Sequence, residues 1–313
     1  MTRSSFQNDL AGKVALVSGS TGFIGSNLCR ELRSRGARVH GAGRRDPSGL
    51  EAGIEYEPID LAAPGAAGEL MRAVRPDFVF HLASHVQGSP DFEHVLPTFR
   101  SNLATTVNLL AAATEIGCER MIVTGSLVEP EVATERVPSS PYAAAKWASS
   151  DYSRMFHALY SLPVVIARVF MVYGPAQQDE TKLVPYTIRS LARGVAPEIT
   201  SGRRQIDWVY VDDVVAGLIT LALAPGLEGD TVDLGSGALI ATADLVELIC
   251  SLMNSGVRPR FGALADRPLE PIRVARVADT TALTGWAPKV SLEQGLARTI
   301  DWYSDTVDQV GHG

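Results

Sequence analysis

The sequence predicts an α/β protein built on a doubly wound parallel sheet, with a smaller C-terminal α/β lobe. Three observations predict it. Short β-rich runs alternate with helical patterns up to about residue 170, a run of glycines sits between the first strand and the first helix, and no Gly/Ser linker divides the chain. Strands joined by helices of this length require right-handed crossovers and a sheet covered on both faces.

The apolar run at 14–17 is the first strand, and 26–36 follows as a helix. Further strands are expected at 38–42, in the strand-like IEYEPI, and at 78–83, 121–124 and 164–169, with helices at 103–115 and 142–159 between them. Beyond Tyr173-Gly174-Pro175 the pattern is less regular. WVYV at 208–211 leads through Asp212-Asp213 into a helix, 231–234 is another strand, a helix lies near 242–253, and 291–304 forms the last helix. Residues 1–172 plus 207–236 are expected to form a dinucleotide-binding body, and 173–206 plus 237–313 a substrate lobe.

A net charge of -7 argues against general attraction to nucleic acid or anionic membranes. Cys29, Cys118 and Cys250 lie far apart, so neither a disulfide framework nor a metal site is expected. No stretch approaches the roughly 20 apolar residues of a membrane helix, and the first apolar run reads as a buried strand rather than a leader. A cytoplasmic protein is the expectation.

Gly19-Ser20-Thr21-Gly22-Phe23-Ile24-Gly25 has the spacing G-x-x-G-x-x-G between a strand and a helix. The first glycine permits the turn, the second lets backbone approach a pyrophosphate, and the third lets helix and strand pack closely, as in a Rossmann dinucleotide site. An NAD site usually carries an acid about 20 residues further on, for the ribose 2′-hydroxyl. Here that place holds Gly43, Arg44 and Arg45. Guanidinium groups suit a 2′-phosphate, which favours NADP(H) over NAD(H). The other reading is a solvated Arg pair with Asp46 as a displaced ribose ligand. Asp60-Leu61 is a candidate for the adenine edge, and Asp60 is equally a helix cap.

Tyr142-Ala-Ala-Ala-Lys146 places a phenol and an ammonium on one helical face. Ser139 or Ser140 can cap that helix and Pro141 suits its first turn. A nearby ammonium favours the phenolate, lowering a pKa of about 10 towards the range of general acid–base work. Ser126 ends the strand MIVTGS, 16 residues upstream, and can hydrogen-bond a substrate carbonyl. Asn102 is a supporting polar group or a cap.

Together these residues resemble the short-chain dehydrogenase/reductase superfamily, in its extended branch of nucleotide-sugar epimerases, dehydratases and ketoreductases. FHLAS at 80–84 is similar to the family's segment beside the nicotinamide, which implies cofactor contacts for Leu82 and Ala83 and a substrate contact for Ser84. ARVFMVYGP at 167–175, DWVYVDDV at 207–214 and the closing block at 279–303 are also similar to family blocks. Three departures stand out: Met171 for an Asn, Ile206 for an Arg, and Glu129-Pro130 for Tyr-Gly. Arg267 in DRPLEP resembles an arginine that binds a sugar nucleotide's phosphate, or is a surface Arg; Arg204 stands two residues before Ile206.

The resemblance implies an NADPH-dependent ketoreductase of a nucleotide-linked keto sugar, a 4-keto-6-deoxyhexose, with Ser126, Tyr142 and Lys146 as its catalytic group. An NAD-dependent nucleotide-sugar 4-epimerase would use the same three residues. A dehydratase would follow its catalytic Thr with Asp-Glu, whereas Leu127-Val128 stand here. A non-catalytic dinucleotide sensor is the reading from another class. The resemblance also implies a homodimer paired through helices near 95–115 and 142–160.

Overall fold

The computed structural model describes residues 10–130, 137–267 and 269–310. The chain forms two compact units, one running to Val169 and from Val215 to Asp233, the other from Phe170 to Val214 and from Leu234 onward. In chain order the elements begin with β1 (Val14–Ser18), α1 (Phe23–Ser34), β2 (Arg38–Gly43), β3 (Glu55–Pro58), α2 (Ala66–Val74) and β4 (Phe78–His81). They continue with α3 (Val95–Thr98), α4 (Thr105–Ile116), β5 (Arg120–Ser126), α5 (Pro141–Tyr160), β6 (Val164–Val169), β7 (Met171–Tyr173) and α6 (Leu183–Ala192). The remainder is β8 (Glu198–Ile199), β9 (Gln205–Tyr210), α7 (Val211–Leu223), β10 (Thr231–Leu234), β11 (Leu239–Ala241), α8 (Thr242–Leu252), β12 (Arg260–Phe261), α9 (Val277–Thr284) and α10 (Leu292–Val310).

The first unit holds a seven-stranded sheet in the order β10-β6-β5-β4-β1-β2-β3. The pairs from β3 through β6 are parallel. Every residue of β4 and β5 is buried, which explains why these strands read as continuous apolar runs rather than alternating ones. Leu16, Val79, Met121 and Val164 of the sheet pack with Leu70 and Met71 of α2 and with Leu109 and Leu110 of α4. From β1 the chain winds outward to β2 and β3, then returns to place β4 on the other side of β1. That reversal opens a crevice at the carboxyl ends of β1 and β4, where doubly wound sheets bind ligands.

One segment departs from the expected helix at 103–115. Residues Phe99–Ala104 form a wider π-helical turn ahead of α4. Such turns displace side chains from regular helical positions and occur often at functional sites.

The second unit contains a three-stranded sheet, β11-β9-β7, and the short pair β12-β8. Residues 207–214, expected in the dinucleotide-binding body, belong to this unit because β9 pairs with β7 and β11 rather than with the large sheet. Asp207 of β9 is a buried knot. Its carboxylate accepts from Ser236 N at 2.6 Å, Ser236 Oγ at 2.7 Å, Gly237 N at 3.0 Å and Ala275 N at 2.9 Å. Asp213 likewise accepts from Lys289 N and Val290 N, both at 3.0 Å. The acids of DWVYVDDV therefore close the loops of this unit, satisfying backbone donors that burial would otherwise leave unpaired.

Candidate active site

The glycine loop leaves the carboxyl end of β1 and enters α1. Gly19 N donates to Ala42 O at 2.8 Å and Gly22 N donates back to Gly19 O at 3.0 Å, closing a tight turn. Gly19 has φ +73°, and a Cβ there would stand 2.7 Å from Ala83 N. At Gly25 a Cβ would stand 2.1 Å from Gly19 O. Glycine is thus required on both sides of the turn, once for conformation and once for space. Gly22 caps α1 without a side chain, and the first turn, opened by the half-buried Phe23 and Ile24, carries no acid. The helix start consequently offers backbone N–H donors and positive dipole to an anion. Ser20 Oγ is buried there without a hydrogen-bond partner. This cradle fits the pyrophosphate of a dinucleotide. Leu82 and Ala83 abut it, with Leu82 N donating to Ser18 O at 3.1 Å and Ala83 N to Ser18 Oγ at 3.3 Å.

At the end of β2, Arg44 and Arg45 are exposed. Arg44 Nη2 reaches only Ser101 Oγ, at 3.4 Å, and among the described residues neither guanidinium has a carboxylate partner. Tyr56 donates its hydroxyl to Arg45 O at 2.6 Å and fixes that backbone. Asp46 accepts from Ser48 N at 2.9 Å, which holds its carboxylate in a local turn. Asp60 does not cap a helix, since α2 starts from Gly65. It accepts from Ala62 N at 3.1 Å and pairs with Arg100 at 2.8 Å. The Leu61 side chain belongs to the apolar core instead of an exposed edge. Asn102 is not a cap either. Buried in the π turn, it accepts from His85 N at 2.6 Å and donates to His85 O at 3.2 Å, clamping the loop that follows β4 and carries Ser84.

Ser126 lies at the carboxyl end of β5, and α5 lies nearby with its start set by Ser140, which accepts from Ala143 N at 3.2 Å, and by Pro141. Tyr142 is half-buried, with the Ser126 and Ser84 hydroxyls near enough to its phenol to favour the charged form. Lys146 is buried, with Nζ 6.0 Å from the Tyr142 ring centre. It donates to Thr124 O at 2.8 Å and Thr124 Oγ1 at 3.2 Å. The first unit thus brings Ser126, Tyr142, Lys146 and Ser84 together.

The electrostatics correct one expectation. In the protein alone Lys146 does not pull the phenol down. Burial pushes Tyr142 up to about 12, opposed by the Ser126 and Ser84 hydroxyls and reinforced by the Glu129 carboxylate. Burial also pushes Lys146 down to about 8, against the pull of Glu129. Desolvation dominates both shifts because each charged form loses its water on burial.

Three residues of this centre were not legible as participants. His81 bridges Ser18 Oγ at 2.6 Å and Thr106 Oγ1 at 3.0 Å, and burial lowers it to about 3, so it is a neutral tie between strands and helix. Thr124 receives the lysine. Glu129 sits beneath Ser126. The only sequence signals were the histidine inside FHLAS and the unusual Glu129-Pro130.

In the second unit, Arg204 Nη1 lies 2.5 Å from Glu270 Oε2, and Arg267 Nη1 lies 3.6 Å from Glu270 Oε1. The two arginines named for a diphosphate therefore converge on one carboxylate. No cluster able to hold a metal occurs among the described residues, and none of their helices is long and apolar enough to cross a membrane.

Comparison with known proteins agrees with this geometry. A dTDP-glucose 4,6-dehydratase of Xanthomonas campestris pv. campestris is 30% identical over 92% of this chain and 92% of its own. The solved structure of an epimerase from Methanothermobacter thermautotrophicus superposes with a TM-score of 0.87 at 25% identity, over 97% of this chain and 96% of that one. The UDP-glucose 4-epimerase of Thermus thermophilus, solved in complex with NAD, gives 0.83 at 26% identity, over 93% and 99%. The family model for NAD dependent epimerase/dehydratase proteins matches residues 15–235, spanning the glycine loop, the Ser126, Tyr142 and Lys146 group and the strand-end aspartates, and the chain belongs to that enzyme family.

Proposed function

We propose that this enzyme is an NADPH-dependent ketoreductase of a nucleotide-linked keto sugar, a 4-keto-6-deoxyhexose. The observation that carries the reading is the end of β2, where Arg44 and Arg45 stand exposed, with no carboxylate partner among the described residues, and suit a ribose 2′-phosphate. When bound, the dinucleotide supplies the hydride. Tyr142 delivers a proton to the carbonyl oxygen as it becomes a hydroxyl, and Ser126 holds that oxygen while negative charge develops. Lys146, anchored on Thr124, orients the cofactor ribose and gives positive charge to the phenol's surroundings. Leu127 and Val128 carry no group able to move a proton, which favours hydride transfer without elimination. The sugar's diphosphate is assigned to Arg204 and Arg267.

A second reading, an NAD-dependent 4-epimerase, is favoured by the Thermus thermophilus relative solved with NAD. One experiment separates them: the purified protein is denatured, any released nucleotide is identified, and the stripped protein is titrated with NADPH and NADH. The ketoreductase reading expects reversible NADPH binding about 10-fold tighter than NADH, a difference of about 1.4 kcal/mol that Arg44→Ala removes. Retained NAD, with NADPH affinity indifferent to Arg44→Ala, places the epimerase first.

The exposed Leu96, Phe99 and Tyr152, on α3, the π turn and α5, support assigning this face to a homodimer. Sedimentation at micromolar concentration is expected to give twice the chain mass, and a monomer throughout would remove the assignment.

A further inference from the structure

Glu129 is the group in the first unit that the proposed reaction leaves without a task. It is buried, with its two oxygens engaged separately. Oε1 accepts from the backbone N–H of Ser126 at 2.6 Å, and Oε2 accepts from Ser150 Oγ of α5 at 2.9 Å. The strand makes room for it: a Cβ on Gly125 would stand 2.6 Å from Glu129 Oε1 and 3.1 Å from Ile166 Cγ2. A glycine within a fully buried strand weakens that strand, and here, one residue before the end of β5, it opens the space the carboxylate fills.

We propose that Glu129 is a positioning residue of the catalytic group, fixing the Ser126 backbone and acting as the buried counter-charge of Lys146. The inference rests on the reading of Ser126, Tyr142 and Lys146 given above.

The charged neighbours can be named element by element. From α5 come Lys146, whose charged form Glu129 favours, and the Tyr142 phenol, whose charged form it disfavours. Burial raises the Glu129 carboxyl itself, and its charged form is favoured by the hydrogen bonds from Ser126 N and Ser150 Oγ, by Arg168 of β6, itself paired with Asp233 of β10 at 3.1 Å, and by Lys146. From β4 comes His81, which burial and Lys146 keep neutral. With Glu129 ionised, two cations and two carboxylates balance. A buried cation without an opposite charge gives up its proton rather than stay charged. Without Glu129, Lys146 would become neutral at lower pH and leave the Tyr142 phenol without its nearby cation.

The test is direct because the chain has four lysines, Lys13, Lys146, Lys182 and Lys289. The whole protein, labelled with lysine carrying ¹³C at Cε, is titrated by NMR, and Lys146→Arg assigns its resonance. In Glu129→Gln the Lys146 midpoint is expected to fall by about one pH unit, the low end of what one nearby opposite charge supplies, while the other three stay in place. Glu129→Asp, which keeps the charge, should restore most of the shift. Should Glu129→Gln fail to fold, Gly125→Ala displaces the carboxylate without removing it and should lower the midpoint in the same direction. An unchanged Lys146 midpoint in either variant overturns the counter-charge. In turnover, Glu129→Gln is expected to lower kcat about 10-fold with KM little changed, and an unaltered kcat overturns the positioning role. The midpoint is read without substrate or cofactor, so failure of the ketoreductase reading leaves this test intact.

Discussion

Replacing Tyr142 by Phe is expected to lower kcat for keto-sugar reduction about 1,000-fold, a loss of about 4 kcal/mol of transition-state stabilisation. The affinity for the dinucleotide should stay within about two-fold, because the ring and its packing survive and only the proton donor is lost. Burial holds the phenol up to about 12, so at neutral pH it is protonated and ready to donate. The reduction rate should therefore be flat across the neutral range. It should fall as pH rises through about 8, where Lys146 gives up its proton and its charge. Single-turnover oxidation of NADPH, followed by absorbance across pH, measures both effects. A Tyr142→Phe enzyme of wild-type rate would remove the assigned chemistry and revive the non-catalytic sensor.

The second large effect belongs to the phosphate loop. Gly25→Ala is expected to reduce dinucleotide affinity at least about 100-fold, about 2.7 kcal/mol. The new Cβ would stand 2.1 Å from Gly19 O, and that atom is backbone, so the turn itself must open. An opened turn moves both the close pyrophosphate approach and the helix start that faces it. The same crowding should lower folding stability by about 1–3 kcal/mol, the usual cost of overpacking. Gly49→Ala is the control, since a Cβ there meets nothing within 4 Å. Calorimetric titration with NADPH and a thermal melt measure the pair of variants. Equal affinity and equal melting temperature for Gly25→Ala and the parent chain would overturn the assignment of the loop.

What could be read from sequence follows the range over which each signal acts. The glycine loop was legible because its turn is closed by neighbours within a few residues. Tyr142 and Lys146 were legible because helical spacing alone puts them on one face. Ser126 followed from its place at a strand end. Thr124, His81 and Glu129 were hidden because their partners arrive from other strands and helices, and no local pattern encodes a side chain's long-range acceptor. For Asn102 the sequence leaves both a supporting polar group and a cap open, because the π turn around it has no signature of its own, and the structure takes the first. Asp207 and Asp213 stood out in their block, yet their use as acceptors for backbone at 236, 237, 275, 289 and 290 emerges only after the second unit is folded. The boundary at 207 was misplaced for a similar reason: alternation marks a strand and says nothing of which sheet receives it.

The route of the chain through its two units also bears on how it is made. β6 is followed in synthesis by a long excursion into the second unit, and its outer neighbour in the sheet, β10, comes only at Thr231–Leu234. Until those residues leave the ribosome, the apolar VVIARV strand presents an unpaired edge, the kind of surface that recruits strands from other chains. A nascent protein stalled or truncated before Thr231 is therefore aggregation-prone, and neither unit can be excised as one continuous fragment for separate expression.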